Sequence, residues 1–407
     1  MKRFHRAWAV CLGCTLMLLV CGGLCINVFS VTQPYILSQN GFTNTQTSMI
    51  TTVRSVVYLV FISLAPLFFR KTGYRWGLTL AVLLAAVSFA VFALARSLAA
   101  YYLAGAIAGA CHGLGSMIPT TILMTRWFRS RRGMAIGICA AGTGVSAVVF
   151  SPILSRIIEQ YSLRACFFFE GGLSVLTAAL VFLLVRESPE SCGIAPFGMQ
   201  QETAQKAQST SDIRPTRLRW MLLYGSVVLL GAIAGPGFAH MMILFTSSGF
   251  SGTQAAFAVS IFGLALMLGK FFYGAACDKL GSILSNQIFG ACLLAGLACC
   301  ILAKFGSVPV MLAAAILFGV GVPLCTVGLS VWAADFTEPD KLDSAVQRFQ
   351  LCYAVGSLTF SFMPGAFADL TGSYAPAYIV FFLFGAFSLF VVQLTYRQGR
   401  KAKTAAH

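Results

Sequence analysis

The sequence predicts an all-α integral membrane protein with twelve transmembrane helices in two pseudo-symmetric six-helix bundles. Of its 407 residues, 58% are hydrophobic and only 10% are charged, with 35 Phe against 12 acidic residues. No soluble domain could bury so much apolar surface in a core. Apolar stretches of about 20 residues, the length of a helix that crosses about 30 Å of hydrocarbon, recur twelve times. The two halves also share an internal repeat.

The first apolar stretch follows a basic N-terminus, as in a signal peptide. It is too long for one and eleven more stretches follow, so we interpret it as a retained helix. The predicted spans lie near 8–37, 46–69, 75–95, 98–126, 133–156, 163–185, 218–247, 252–277, 282–304, 307–333, 343–367 and 373–395. The one long polar stretch, 186–217, is rich in Gln, Ser, Thr and Pro. We therefore predict an N-terminal bundle over 1–185, a cytoplasmic linker over 186–217 and a C-terminal bundle over 218–407.

The halves align with each other at two closely similar offsets. A shift of 208 residues matches GFTNTQ at 41–46 with GFSGTQ at 249–254, and Gly73 with Gly281. A shift of 212 residues matches Gly144 with Gly356. Repeats of this kind, joined by a linker, are typical of transporters whose substrate site lies between the halves near the middle of the membrane and is exposed alternately to each side.

The basic residues predict the orientation of the chain. Placing the N-terminus in the cytoplasm puts 21 of the 28 Lys and Arg residues in cytoplasmic segments and four outside. We therefore expect a multi-pass protein of the plasma or inner membrane with both termini in the cytoplasm. The net charge of +16 is then mostly a topology signal and an attraction to anionic membrane lipid. No basic and aromatic module indicates nucleic acid binding.

Metal, cofactor and catalytic sites are not indicated. The 14 Cys lie mostly in apolar spans, where they are small buried hydrophobic residues, and the C-x-x-C at Cys11 and Cys14 has no second ligand pair. The sequence contains no soluble catalytic constellation and no Gly-rich phosphate loop. We expect no metal, no cofactor and no enzymatic activity, so that transport takes its energy from gradients.

Three stretches carry a resemblance to a known family. GAACDKLG at 274–281 resembles the G-x-x-x-D-[RK]-x-G signature of the major facilitator superfamily, whereas its first-half counterpart PLFFRKTG has Arg70 in place of Asp. The run GLGSMIPTTILMTRWFRSRRGMAIGICAAGTGVSA at 113–147 resembles the oxalate/formate antiporter and monocarboxylate transporter branch. YAVG at 353–356, followed by Pro364, resembles the eleventh helix of that branch.

The resemblance and the positions of charged residues suggest a conformational gate. Its candidate residues are Gly274, Asp278, Lys279, Gly281, Arg131, Arg132 and Arg348. The loop RWFRSRR is expected to anchor to lipid phosphates through its arginines, with Trp127 and Phe128 at the membrane interface.

Cations inside predicted helices are the main candidates for substrate binding, because such charges are costly in the membrane and usually functional. Lys270 stands where the branch carries a substrate-binding Arg, with Tyr273 on the same helical face. The alternative is that Lys270 extends to the membrane surface. Arg54 lies one turn before Tyr58. It either replaces a second cation, which the branch carries near the position of Tyr353, or extends toward the outer membrane surface. The other candidate contacts are Asn27 and His240, which follows a Gly-Pro-Gly break.

Two groups are candidates for carrying a proton. His112, near the middle of the fourth span, could do so near neutral pH, although a hydrogen-bonded structural His is the alternative. Glu170 is either a proton carrier or the partner of Arg164.

These features together predict a secondary active transporter of a small organic anion, with a monocarboxylate as the expected substrate. We expect proton symport by a monomer, with the exchange of two anions as the close alternative. A drug exporter is disfavoured because no deep acidic residue awaits a cation. A non-transporting sensor remains an alternative that a flux measurement would exclude.

Overall fold

The computed structural model describes residues 5–40, 42, 44–198, 215–338, 341–361 and 363–404. Eleven helical segments in these ranges are long and apolar enough to cross a membrane. One of them, Met49–Leu94, is 46 residues long and contains a break in helical geometry at Gly73, so it supplies two spans. The predicted class, a helical membrane protein of twelve spans, is confirmed.

The helices fall into two compact units. Unit 1 comprises Met1–Ser130 and Ile138–Met199, and unit 2 comprises Arg131–Gly137 and Gln200–His407. Unit 1 contains α1 (Arg6–Leu18), a π-helix (Leu19–Val28), α2 (Phe29–Asn40), α3 (Asn44–Leu94), α4 (Leu98–Leu114), α5 (Met117–Trp127), α6 (Arg132–Gln160), α7 (Leu163–Leu184) and a 3-10 turn (Glu190–Cys192). The first turns of α6 belong to unit 2. The three-part division at 185 and 217 stays a prediction.

Unit 2 contains the remaining helices and a broken seventh span. They are α8 (Arg217–Ala234), α9 (Pro236–Ala239), α10 (Met241–Ser247), α11 (Gly252–Leu280), α12 (Ser282–Leu302), a 3-10 turn (Ala303–Phe305), α13 (Val308–Gly321), α14 (Pro323–Phe336), α15 (Leu342–Thr359), α16 (Met363–Thr371) and α17 (Ala375–Thr404). The predicted break at Gly-Pro-Gly is present, since α8 ends at Ala234 and His240 has non-helical angles.

Two glycines turn the chain at equivalent positions of the repeat. Gly73 has φ 72° and ψ 168°, and Gly281, 208 residues later, has φ 81° and ψ 158°. This backbone region is essentially restricted to glycine, because a Cβ atom would clash with the backbone. The repeat seen in the sequence is therefore also a repeat of backbone geometry.

A stripe of small residues brings α3 and α4 together in unit 1. Gly105, Gly109 and Gly113 recur every four residues, and each packs against the backbone or side chains of α3. Gly109 faces the backbone carbonyl of Arg54 so closely that no Cβ atom would fit. Such spacing allows transmembrane helices to approach at backbone distance. The stripe fixes the part of α3 that carries Arg54 and Tyr58.

The chain after α7 folds back onto unit 1 instead of leaving it. The backbone N–H of Phe197 donates to the carbonyl of Trp127, and the N–H of Arg129 donates to the carbonyl of Phe197. The Phe197 ring contacts those of Trp8 and Phe128. Trp127 and Phe128 are buried within the protein, and their position at the depth of the membrane interface stays a prediction. Their side chains form the surface on which residues 194–198 lie.

Candidate functional site

Arg54 points into unit 1 and not toward an outer surface. Its Nη1 donates to the carbonyl oxygen of Cys25 at 3.0 Å, and its guanidinium carbon lies 5.2 Å from the centre of the Phe29 ring. Cys25 belongs to the ten-residue π-helix in the first span, and π-helical turns are frequent at functional sites. The outward extension that was one alternative for Arg54 is therefore not what the structure shows.

Tyr58 and His112 meet on the adjoining turns. Their rings stack with centres 4.4 Å apart and planes 18° apart. Both side chains are half-buried, and Arg54 is near enough to His112 to act on it electrostatically. Three predicted residues from α3 and α4 therefore form one cluster in unit 1, which we call the Arg54 cluster: Arg54, Tyr58 and His112.

Glu170 approaches the same π-helix from α7. It is 1% exposed, its Oε2 atom has no hydrogen-bond partner among the described residues, and it interacts electrostatically with Cys25. The alternative pairing with Arg164 does not occur, because no ion pair joins these two described residues and Arg164 lies over the Phe168 ring. A buried carboxyl without a cation is costly when charged, which suits a protonated form.

Asn27 lies at the end of the π-helix. Its Nδ2 donates to the carbonyl of Thr143 at 2.9 Å, and the residue is exposed. The predicted candidates of unit 1 therefore surround one short stretch of the first span.

Lys270 lies in the middle of α11 in unit 2. It is 9% exposed, so its ammonium group is held away from solvent, which does not support the alternative of extension to the surface. Its backbone carbonyl packs against Gly137 at the start of α6, where an added Cβ atom would lie 2.5 Å away. An ammonium group buried in a membrane-spanning helix needs an acceptor or an anion nearby.

Tyr273 is not a free binding group, which corrects its assignment to the substrate site. The residue is fully buried, and its hydroxyl donates to Oδ1 of Asn286 at 2.6 Å. Trp332 Nε1 donates to the same oxygen at 3.1 Å. Tyr273 therefore joins α11 to α12 and α14 as part of a buried hydrogen-bond network.

Tyr353 and His240 make local contacts in unit 2. Tyr353 is half-buried, and its backbone packs directly on Gly231 of α8. His240 has a ring nitrogen 3.0 Å from the Pro236 carbonyl, and its ring lies 6.2 Å from that of Tyr374. The imidazole at the break in the seventh span therefore lies against a carbonyl that also accepts the backbone N–H of His240, at 3.1 Å.

Two of the predicted gate residues, Gly274 and Asp278, pack against the start of α6 in unit 2. Asp278 accepts the backbone N–H groups of Gly133 at 2.9 Å and of Met134 at 2.6 Å. Gly274 and Gly133 approach at backbone distance, and Arg131 has a positive φ of 58°. The carboxylate thereby holds the N-terminus of α6, where unpaired N–H groups and the helix dipole favour an anion.

Asp335, which the sequence analysis missed, forms the second half of this arrangement. It accepts hydrogen bonds from Arg132 Nη2 at 3.3 Å, from the Ser282 hydroxyl at 2.6 Å and from the Tyr396 hydroxyl at 2.8 Å. It lies near the end of α14, one of only 12 acidic residues in the chain, and that scarcity was a usable signal. The remaining gate candidates, Lys279 and Arg348, are exposed.

Comparison with known proteins identifies the family. The model of the Major Facilitator Superfamily matches residues 15–282 and 237–406. The chain belongs to this superfamily. Its fold resembles that of the superfamily's proton:xylose symporter XylE, with a TM-score of 0.74, 16% identity and coverage of 94% of both chains.

The chain is also similar in sequence to a monocarboxylate transporter and in fold to an organic anion transporter. Monocarboxylate transporter 12 of Rattus norvegicus is 24% identical over 409 residues, covering 92% of this chain and 82% of that protein. The human organic anion transporter MFSD10 has a TM-score of 0.68 with 17% identity, covering 96% of this chain and 98% of the other. The predicted resemblance to monocarboxylate transporters is confirmed, and the chain is a multi-pass membrane transporter.

Proposed function

We propose that this transporter carries a small organic anion, specifically a monocarboxylate, by alternating access across the cell membrane, with both termini in the cytoplasm. The observation that supports this most is Lys270, a cation that is 9% exposed within a membrane-spanning helix. A charge at the centre of a membrane costs on the order of 3 kcal/mol by insertion scales. A bound carboxylate offsets that cost, whereas a neutral sugar does not.

The role of Lys270 is to anchor the carboxylate. A hydrogen bond to an ionised group contributes about 1.5 to 3 kcal/mol, so its loss should weaken binding roughly tenfold to a hundredfold. Lys270→Gln should lose affinity and still insert, because it removes an intramembrane charge. Lys270→Arg should be milder without being neutral, since its planar fork grips a carboxylate at another distance and angle.

The test is uptake and binding of short mono- and dicarboxylates by the purified protein. Affinity is measured by calorimetry in detergent and flux in proteoliposomes. Lys304→Gln is the matched control, because Lys304 is exposed at a helix end. Wild-type affinity in a well-folded Lys270→Gln variant would contradict the proposal. Binding without net flux in the wild type would identify a sensor instead.

We propose proton symport as the coupling mode, from the arrangement of the Arg54 cluster. A proton on His112 would be repelled by the nearby guanidinium. The negative charge of the bound substrate would reduce the positive charge that opposes this proton, so that anion and proton bind together. Glu170, which borders the same π-helix, is the second candidate carrier, because its burial and the absence of a partner for Oε2 among the described residues favour a carboxyl that holds a proton.

The coupling test separates symport from exchange. His112→Gln or Glu170→Gln should abolish uphill, pH-driven uptake and spare the exchange of labelled for unlabelled substrate. Glu159→Gln is the matched control, since Glu159 is an exposed acid at the end of α6. If both single variants retain pH-driven accumulation, neither residue carries the proton. If the wild type exchanges anions without pH-driven accumulation, the protein is an exchanger.

A further inference from the structure

A buried layer of hydrogen bonds joins three helices of unit 2 through one acceptor. The Tyr273 hydroxyl of α11 and Trp332 Nε1 of α14 both donate to Oδ1 of Asn286 on α12, at 2.6 and 3.1 Å. All three side chains are fully buried. The indole nitrogen is a donor and not an acceptor, so the atom that faces it is the amide oxygen. We call these three residues the Asn286 layer.

The contacts of Asp335 lie next to this layer on the same helices. Ser282 is four residues before Asn286 on α12, about 6 Å along the axis at 1.5 Å per residue. Asp335 is three residues after Trp332 on α14. It accepts from the Ser282 hydroxyl at 2.6 Å and from Arg132 Nη2 at 3.3 Å. The Asn286 layer is therefore about one turn away from the contact between Asp335 and Arg132.

The start of α6 is held by carboxylates from two different helices. Asp278 of α11 accepts the backbone N–H groups of Gly133 and Met134, whereas Asp335 of α14 contacts Arg132. If α11 moved alone, the first contact would break and the second would remain. The two contacts open as one event when α11 and α14 move together.

We propose that Asn286 is a positioning residue that holds α11 and α14 together, so that the contacts of Asp278 and Asp335 with the start of α6 form and break as a unit. A separate movement of α11 would leave the Tyr273 hydroxyl without its acceptor. A separate movement of α14 would do the same to the Trp332 N–H. A buried donor without a partner is costly, so both movements are disfavoured.

The proposed substrate anchor lies on one of the joined helices. Lys270 is three residues, about one turn, before Tyr273 on α11, and Asp278 is five residues after Tyr273. A bound carboxylate that displaces α11 at Lys270 would therefore displace α14 as well, through Asn286. This consequence rests on the proposed function, whereas the joining of the two helices does not.

A double-mutant cycle read by amide hydrogen exchange tests whether the contacts open together. The exchange of Gly133 and Met134 is followed in the full-length protein without substrate. Arg132→Gln should speed it about fivefold, the effect of one partly exposed ion pair, because both contacts must break before these amides exchange. Tyr273→Phe should speed it as well. In the Tyr273→Phe background, Arg132→Gln should add nothing, because the amides can then leave Asp278 while α6 stays on α14.

Comparison between backgrounds removes the trivial effects. Arg132→Gln changes the intrinsic exchange of its neighbours equally in both backgrounds, so this contribution cancels. Tyr378→Phe is the matched control, since the Tyr378 hydroxyl is equally buried and donates to the Gly237 carbonyl at 2.7 Å, away from the Asn286 layer. It should leave the exchange of Gly133 and Met134 unchanged, and Arg132→Gln should keep its fivefold effect there.

Three results would overturn the proposal. The first is a full effect of Arg132→Gln in the Tyr273→Phe background, and the second is its lack of effect in the wild type. The third is equal behaviour of Tyr273→Phe and Tyr378→Phe, which would indicate general loosening. If Tyr273→Phe is not monodisperse on size exclusion, Trp332→Phe removes the other donor and should abolish the effect of Arg132→Gln in the same way. No substrate is needed, so failure to bind carboxylates would count against the proposed function and leave this result standing.

Discussion

Asp278→Asn tests whether the predicted gate depends on a charged cap at the start of α6. The Asp278 carboxylate accepts the backbone N–H groups of Gly133 and Met134, at 2.9 and 2.6 Å. Asparagine has nearly the same shape, but its amide offers one acceptor oxygen and places an NH2 group toward the second N–H. The substitution therefore removes the charge and one hydrogen bond without creating a cavity.

The magnitude follows from these two contacts. A hydrogen bond to a charged group contributes about 1.5 to 3 kcal/mol, against about 0.5 to 1.5 kcal/mol for a neutral pair. Losing one bond and weakening the other should cost about 2 kcal/mol of local stability. The positive φ of Arg131, 58°, adds strain that the cap helps to hold. A change of about 2 kcal/mol corresponds to roughly thirtyfold faster local opening.

The assay is amide hydrogen exchange of the purified protein, monitored in peptides that cover residues 131–137. We expect the amides of Gly133 and Met134 to exchange roughly thirtyfold faster in Asp278→Asn, with the far end of α6 unchanged. Glu159→Gln at that far end is the matched control, because Glu159 is an exposed acid. Unchanged protection of Gly133 and Met134 in the variant would show that the carboxylate does not hold this helix start.

Further predictions concern the glycine turn and the folded linker. Gly281→Ala should lower the melting temperature, because forcing a Cβ atom into φ 81° costs about 1 to 3 kcal/mol even though no other atom lies within 4 Å. Gly263→Ala, equally uncrowded and helical, should be neutral or stabilising, and equal melting temperatures for both variants would refute the strain argument. Phe197→Ala should speed limited proteolysis within 186–198, since it removes the ring that packs on Trp8 and Phe128; an unchanged cleavage rate would contradict this role.

The number of spans could be predicted because long apolar stretches identify membrane helices, whereas several predicted ends differ from those of the structure, as in Arg6–Val28 against 8–37. A helix in lipid satisfies its own backbone, so apolar length is a nearly sufficient signal. The break before His240 was also visible, because Pro236 cannot continue the hydrogen-bond pattern of α8. By contrast, nothing in the apolar run Leu19–Val28 distinguishes a π-helix from an α-helix, since both bury the same side chains.

Side-chain partners were harder to predict than positions. Lys270, Arg54 and Glu170 could be named because a charge inside an apolar helix stands out. The role of Tyr273 could not, because its partner Asn286 lies 13 residues later on the next helix, and only the turn at Gly281 brings the two together. Periodicity placed Tyr273 beside Lys270 but did not reveal which side of α11 faces protein.

The same limit explains the two carboxylates that support the glycine turns. The sequence repeat matches Gly73 with Gly281, and each turn ends where a new helix begins. In unit 1, Glu187 accepts the N–H groups of Tyr74 and Arg75 at 2.9 and 3.0 Å. In unit 2, the hydroxyl of Ser282 donates to Asp335.

These two acids are not equivalent in the repeat. Glu187 comes from the segment after α7, whereas Asp335 comes from α14. Glu187 accepts the N–H groups of its helix start directly, whereas Asp335 contacts the start of α12 through the Ser282 hydroxyl, and any nearby part of the chain can supply such a carboxylate. Backbone geometry that only glycine adopts constrains the residue type at one position, so glycine recurs at the equivalent positions of the aligned halves. A requirement for negative charge constrains only a position in space, so each unit supplies the carboxylate from a different part of the sequence.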